Sequence, residues 1–554
     1  MNKDRYLKHI LILVFLSCLC FVVGNGVLSL TNPDEVFYAQ TAKEMIQHHS
    51  WMTPYLFGQP QFEKPILLYW LLRIGFILFG ISSFGARLFP AIFAGLGVIA
   101  TYLLALVGFK NEKKAFLCSL ILMSFGIYIG LARSVFTDLI FSVFILFSLA
   151  SFFWSYVLDS GKKIGIFLFF IFSAFAVLTK GPLGFFIPMV TVSLFLLIKK
   201  DIKFLLKISS LYGFGIFLLI ALPWYFSMWN QYGNNFVHEF FYNDHLRRLI
   251  EAEHRKNDTW YFYPLSTLSC IFPWSLFLVF SFLSLFKKIK LREHPLRFFL
   301  VCWIVAVFII FQAAHSKLVS YIFPLFPALA IIIGDFIYDK LSLDSRSRLI
   351  FYLSLFTNFF IFLIPIGLII AMFKFPSYIS SRIPIYSLSA VLLIFSALNL
   401  FFMLKNKLSR VIGSLLLVVP LSLVILFSMH NDIEPYISSK KACEYLVNNH
   451  KLNNIVLCSK FYVRGVRYYT GKEVAVIDIS GKQFFSPHPV IFLDTDLKVR
   501  NFLLGQSVTY CILKKGAVED IKRIANNGLE LNILNKIGDE YIVEVDQSKA
   551  KGLI

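Results

Sequence analysis

Apolar stretches of roughly twenty residues recur along the chain, each long enough to cross a bilayer as a helix. They fall near 9–30, 84–108, 115–132, 139–158, 164–179, 183–198, 205–226, 262–286, 297–314, 318–338, 349–373, 384–404 and 411–429. A shorter run, 66–81, contains Arg73 and reads as a helix lying in the membrane interface. Backbone polar groups in lipid must be satisfied within the segment, and the alternation of a membrane barrel is absent. The pattern therefore predicts a multi-span α-helical membrane protein with about 13 transmembrane helices. After residue 430 the texture changes. NIVLCSKF, KEVAVID, PVIFLDT, SVTYCILKK and EYIVEVD read as strands, and SSKKACEYLVNNH and AVEDIKRIANNG as helices. This predicts a small α/β domain, 430–554, behind a transmembrane unit, 1–429.

Charge gives the bundle a direction. The chain carries 53 Lys+Arg against 32 Asp+Glu, a formal net charge of +21. In a membrane protein much of that excess is topological, because cytoplasmic loops collect Lys and Arg, so nucleic acid is not the implied partner. The remainder suits anionic lipid. Basic clusters at Lys3/Arg5/Lys8, Lys110/Lys113/Lys114, Lys162/Lys163, Lys199/Lys200/Lys203/Lys207, Lys287/Lys288/Lys290/Arg292, Lys340/Arg346/Arg348 and Lys405/Lys407/Arg410 are mutually separated by even numbers of spans if 66–81 stays interfacial. The N-terminus is then inside and the C-terminal domain outside. The run 9–30 is long for a secretory signal and lacks a clear small-residue cleavage site, so it reads as a retained span. Three of the eight cysteines, Cys443, Cys458 and Cys511, lie in the C-terminal domain, where one disulfide is an open option.

The predicted outer loops, above all 31–83 and 227–261, hold nearly every residue with chemical character: Asp34, Glu35, Glu63, Lys64, Arg133, Asp138, Lys180, His238, Glu239, Asp244, His245, Arg247, Arg248, His254, Arg255, His315 and Lys317. Each has a plain structural alternative. Asp34 and Glu35 follow Asn32-Pro33 and would suit the first turn of a helix. Glu63 and Lys64 would make a loop salt pair before Pro65, and Arg133 and Asp138 an ion pair across a tight connection. Lys180 would anchor a helix end, Lys317 would sit at the interface, and His245 would be a solvated loop residue. Their shared sidedness is the stronger signal, since ionisable groups at membrane depth are costly and functional or paired.

The order of motifs is recognisable: PDEVFYAQTAKEM, FEKPILLYWL, FGARLFPAIFA, ARSVFTD, TKGP, NDHLRR with WYFYP, then SKLVSYIFPLFP. Over about 31–335 the chain resembles the bacterial lipid A aminoarabinose transferases (ArnT) and, more broadly, the GT-C glycosyltransferases that use polyprenyl-phosphate sugars. The resemblance implies a GT-C fold in the bacterial inner membrane, with the active site and the C-terminal domain on the periplasmic side. It implies that Asp34, Glu63 and Lys64 serve the chemistry, and that Glu35, Tyr38, Arg133, Asp138, Lys180, Arg248, Lys317 and Tyr321 bind substrate. Apart from the resemblance, the oxygen and imidazole ligands of Glu63 and His245 would suit a divalent metal ion. The donor would be an amino sugar on undecaprenyl phosphate, the acceptor a lipid A phosphate, and the product a surface less attractive to cationic antimicrobial peptides. One departure stands out: VFY, Val36 to Tyr38, follows Glu35 where a polar or basic residue is expected at one position, which leaves the amino sugar open. A protein O-glycosyltransferase would share the donor chemistry but need a base for its hydroxyl acceptor. A lipid flippase would instead show internal repeats or ionisable groups strung through the membrane, and an assembly subunit would not need the loop carboxylates. The oligomeric state is not legible.

Overall fold

The computed structural model describes residues 3–158, 162–205, 208–253, 255–287, 294–374, 382–450, 452, 454–479, 481, 484, 488–525 and 528–547. His254 and the basic positions 288–292 lie outside the described residues. Ten helices among those described are long and apolar enough to span a membrane. Two bent pairs add to them: Glu112–Met123 with Gly126–Ala132, turning by 69°, and Phe262–Cys270 with Ser275–Leu285, turning by 115°. The runs 115–132 and 262–286, expected as single spans, are thus broken. Leu183–Lys199 is a shorter apolar helix of 17 residues. Leu67–Phe79 is shorter still, with Ile77, Leu78 and Phe79 exposed along it. Arg73 is its anchor: it donates to the carbonyls of Met45 and Ser50 and lies 4.0 Å from the Trp51 ring.

Two further expectations are corrected. The first span ends near Val22 rather than residue 30. Gly24, at φ +71°, turns the chain away, and Arg133 takes the freed carbonyls of Cys20 and Val23 at 3.0 and 2.9 Å. The expected loop 227–261 is mostly helical: Ile208–Val237 kinks at Gly233, continues as wide π turns over His238–Leu246, and ends in Arg247–Ile250. Its aromatic and amide side chains carry the helix past the apolar stretch, because Phe236 and Phe240 are buried against Trp224 and Tyr225.

The C-terminal segment forms a six-stranded sheet. Its spatial order is Ile491–Leu493, Val474–Ile477, Val456–Ser459, Val508–Leu513, Glu540–Asp546, Glu530–Ile537. The first four strands are parallel and the last two antiparallel. Side chains alternate between two cores: Val456, Cys458 and Val474 face helices Lys440–Asn449 and Val463–Thr470, while Leu457 and Ala475 face Asp496–Leu504 and Lys515–Ala525. The three cysteines there are buried and free, not bridged. The strand at 530–537 and the helices at 463–470 and 496–504 are not evident from the sequence pattern, because the strand lacks apolar alternation and the helices run for only 8 and 9 residues.

Helix Asp34–Gln47 joins the two parts. It is buried almost throughout, since Leu67–Phe79 packs on it from one side and Val463–Thr470 from the other. Lys43 donates to Tyr468 O at 3.0 Å, Asn32 N to Ile437 O at 2.7 Å, and Asn32 Nδ2 to Ser439 Oγ at 2.7 Å. The same helix sets the next turn: Glu44 accepts from the amides of Phe57 and Gly58 at 3.0 and 2.8 Å, holding both at positive φ in a hairpin that returns the chain to Glu63 and Lys64.

Candidate active site

The site is built at the end of the bundle where helix Asp34–Gln47 begins. Lys64, on the segment after the hairpin, donates to both oxygens of Asp244 at 2.8 and 2.7 Å. Arg248, one turn beyond Asp244, shares that carboxylate at 3.1 Å, reaches Glu253 at 2.9 Å and donates to the Tyr321 hydroxyl at 2.7 Å. Lys180, the last residue of helix Lys162–Lys180, pairs with Asp138 and lies 4.3 Å from the Tyr321 ring centre. These residues meet around a cavity of about 370 Å³. Lys64, Lys180 and Arg248 are the lysine and arginine side chains that line it, and Asp244 is the carboxylate. The rest of the wall is largely apolar, including Phe186, Leu246, Ile310 and Phe311. A cationic end joined to an oily wall is what a lipid phosphate requires: charge-assisted donors for the head and hydrocarbon for the chain.

His245 is held in place rather than offered. Its Nδ1 lies 2.7 Å from the Phe240 carbonyl, and its other edge is bound at the Lys180 backbone. Gly181, at φ +92°, makes the approach possible, since a Cβ there would fall 2.4 Å from His245 Nε2. Glu63 faces elsewhere: its Oε1 lies 3.6 Å from Nδ1 of His488, on the C-terminal segment. The expected metal pair of Glu63 and His245 is therefore not assembled, and no group of three metal-ligating side chains occurs among the described residues.

Asp34 opens the helix and points into a second cavity of about 750 Å³, between the bundle and the C-terminal sheet. Its side chain is 54% exposed, into that cavity, and lies 3.7 Å from Arg464. Burial raises its carboxyl above the ordinary range; Arg464 and Lys64 oppose the shift while Glu253 and Asp138 add to it. Burial likewise raises Glu63, against the pull of Arg464 and Lys64. Arg464 donates to Nε2 of His488 at 2.7 and 3.2 Å, so the imidazole carries its proton on Nδ1, toward Glu63.

Several nominated residues have other work. Glu35, expected to bind substrate, is fully buried and clamped by Arg87 at 2.6 and 2.8 Å. Burial alone would raise its carboxyl, but Arg87 and the amides of Thr31 and Val135 hold it below the usual range. Arg133 ties down the end of the first span and lies 4.1 Å from the Phe427 ring; its expected partner Asp138 has gone to Lys180. Lys317 is spent on Asp258 at 3.1 Å and the Thr259 carbonyl. Tyr38 is buried beside Thr137 and lines neither cavity. Arg464 and His488 were not nominated at all, since no motif surrounds them. A second buried charge cluster, Lys114 and Arg297 on Asp335 and Asp339, lies on the helix ends away from this site, so chemical character is not confined to one face.

Comparison with known proteins agrees with this architecture. Residues 7–237 match the family of dolichyl-phosphate-mannose-protein mannosyltransferases. An uncharacterized protein of Aquifex aeolicus is 33% identical over 335 residues, 60% of this chain and 64% of that one. An undecaprenyl phosphate-alpha-4-amino-4-deoxy-L-arabinose arabinosyl transferase of Pseudomonas fluorescens is 28% identical over 427 residues, 75% of each chain. The crystal structure of ArnT from Cupriavidus metallidurans bound to undecaprenyl phosphate superposes with a TM-score of 0.78 at 17% identity, covering 97% of both chains. The fold is thus a GT-C membrane fold. In sequence the chain is similar to the named arabinosyl transferases, and in fold to ArnT.

Proposed function

We propose that this protein transfers an amino sugar from undecaprenyl phosphate to a phosphate of lipid A, on the periplasmic face of a bacterial inner membrane. One observation carries the reading: Lys64, Lys180 and Arg248 converge on the polar end of a cavity whose other wall is hydrocarbon. Relatives named for undecaprenyl phosphate-aminoarabinose transfer support the donor, as does a structural neighbour bound to undecaprenyl phosphate.

The donor phosphate sits among Lys64, Lys180 and Arg248, its chain along Phe186, Leu246 and Ile310. An acceptor phosphate oxygen attacks the anomeric carbon while the bond from that carbon to the polyprenyl phosphate oxygen breaks. The released polyprenyl phosphate gains one negative charge, which the three cations stabilise more strongly than the ground state. A lipid A phosphate is already largely ionised at neutral pH, with a second pKa near ~6, so it needs positioning rather than a base. Asp34 is then free to pair with the ammonium of the amino sugar or with charge on the reacting carbon. A single displacement inverts the anomeric centre.

Mass spectrometry of lipid A from cells with and without the gene tests this reading. One amino-sugar mass present with the gene and lost without it supports the reading and names the sugar. The family match to protein mannosyltransferases favours one rival, a protein acceptor. Labelled donor that ends in protein, with lipid A unchanged, would establish that rival instead.

A further inference from the structure

The cavity that receives Asp34 coincides with a landmark of the C-terminal sheet. From Val456–Ser459 the chain adds Val474–Ile477 and Ile491–Leu493 on one side, then returns to place Val508–Leu513 on the other. The strand order therefore reverses between Val456–Ser459 and Val508–Leu513. In open α/β sheets, ligands bind outside the carboxyl ends of the parallel strands at such a reversal, because the connecting segments diverge there and leave a crevice. The residues leaving these carboxyl ends line the cavity: Ser459 and Lys460, Asp478, and Lys514. The crevice is closed at its base, where Lys514 N donates to Ser459 Oγ at 2.9 Å. Asp34 and Arg464 form the facing wall.

The charges are mixed. Lys460 lies 4.0 Å from Asp478 and 5.0 Å from the Phe484 ring. Lys514 lies 4.3 Å from the Phe461 ring and has no ion pair among the described residues. Asp478, Asp520 and Glu253 line the crevice as well, beside Asp34. Cations interleaved with carboxylates suit a sugar phosphate, whose phosphate takes the ammonium and guanidinium donors and whose hydroxyls donate to carboxylates. The donor cavity already accounts for the lipid chain; in this crevice the apolar residues Phe461, Ile477, Ile479 and Phe484 are interleaved along the chain with the charged ones.

We propose that the switch-point crevice of the C-terminal sheet binds the phosphorylated sugar headgroup of the acceptor, through Lys460, Lys514 and Arg464, and presents it to Asp34. This rests on the reading that the acceptor is a lipid A phosphate. The C-terminal unit is then the acceptor-binding module of the enzyme.

The test uses the full-length protein in phosphatidylcholine nanodiscs, with lipid A and dephosphorylated lipid A as probes. The Lys460→Ala/Lys514→Ala variant should bind lipid A at least tenfold more weakly. Its binding of dephosphorylated lipid A and of undecaprenyl phosphate should be unchanged. Lys514→Gln, which keeps the side chain's reach but not its charge, should show the same loss at smaller size if the double variant does not fold. Unchanged lipid A binding, or an equal loss of undecaprenyl phosphate, overturns the assignment. If the variant loses lipid A binding but the wild type transfers no sugar to lipid A, the transfer reaction is refuted and the crevice stands as a site for phosphorylated sugars.

Discussion

Lys64 and Asp244 lie 180 residues apart in sequence, yet the lysine ammonium sits 2.7 and 2.8 Å from the two oxygens of that carboxylate. The pair brings the FEKP segment against the long helix after Gly233, where the proposed donor phosphate would meet its first cation. Replacing Lys64 with Ala removes one charge-assisted donor, each of which is worth about 1.5–3 kcal/mol. Affinity for undecaprenyl phosphate should fall by about 10- to 100-fold, read by equilibrium titration in nanodiscs. Undiminished affinity would place the phosphate elsewhere.

Two neighbouring acids should respond in opposite ways. Glu35 is buried with Arg87, so Glu35→Ala strands a buried guanidinium and should cost about 3–5 kcal/mol. The expected readout is low yield and a depressed melting temperature. Asp34 faces the cavity at a helix start, so Asp34→Asn should leave melting close to wild type and abolish transfer. Equal destabilisation by both would mean that Asp34 is structural.

The acid limb of the pH–rate profile should report Asp34. Its carboxyl is raised by burial, with Glu253 adding to the shift and Arg464 opposing it. Activity should therefore fall, as pH drops, at a pH above the ordinary carboxylate range. Glu253→Gln removes a negative neighbour, favours the ionised form and should move the midpoint down. Arg464→Ala should move it up. Shifts of the same sign in both variants would refute the assignment.

Glu540 gives a separate test on the C-terminal segment. Ser439 Oγ donates to it at 2.6 Å while Asn32 Nδ2 donates to that hydroxyl, so the buried carboxyl sits on the link to the loop before Asp34. Burial raises its pKa from 4.5 to about 8. A group raised on folding contributes stability that is fully present below its unfolded pKa and lost as pH rises through the folded one. Hydrogen exchange at 437–440 and 540–546 should thus accelerate between pH 5 and about pH 8–9 beyond the intrinsic base dependence. Glu540→Gln should remove that extra acceleration.

The site was legible in part. Lys64, Lys180, Arg248 and Tyr321 were nominated and do share one place; Glu35, Arg133 and Lys317 were nominated and are occupied by Arg87, backbone carbonyls and Asp258. A carboxylate in a loop looks the same whether its partner is a ligand or an arginine some fifty residues away. Arg464 and His488 carried no signal because they lie on a short amphipathic helix and a connection of an ordinary α/β unit.

What the sequence determined by itself is the set of apolar runs that become membrane helices and the strand-rich segment behind them. Both are local consequences of hydrophobicity: each run must satisfy its own backbone in lipid, whatever its neighbours do. What only the tertiary structure decided is which charge meets which, and therefore which acids are structural and which face a cavity. Those pairings join residues tens to hundreds of positions apart, such as Glu63 with His488, and depend on how the helices pack and where the sheet docks.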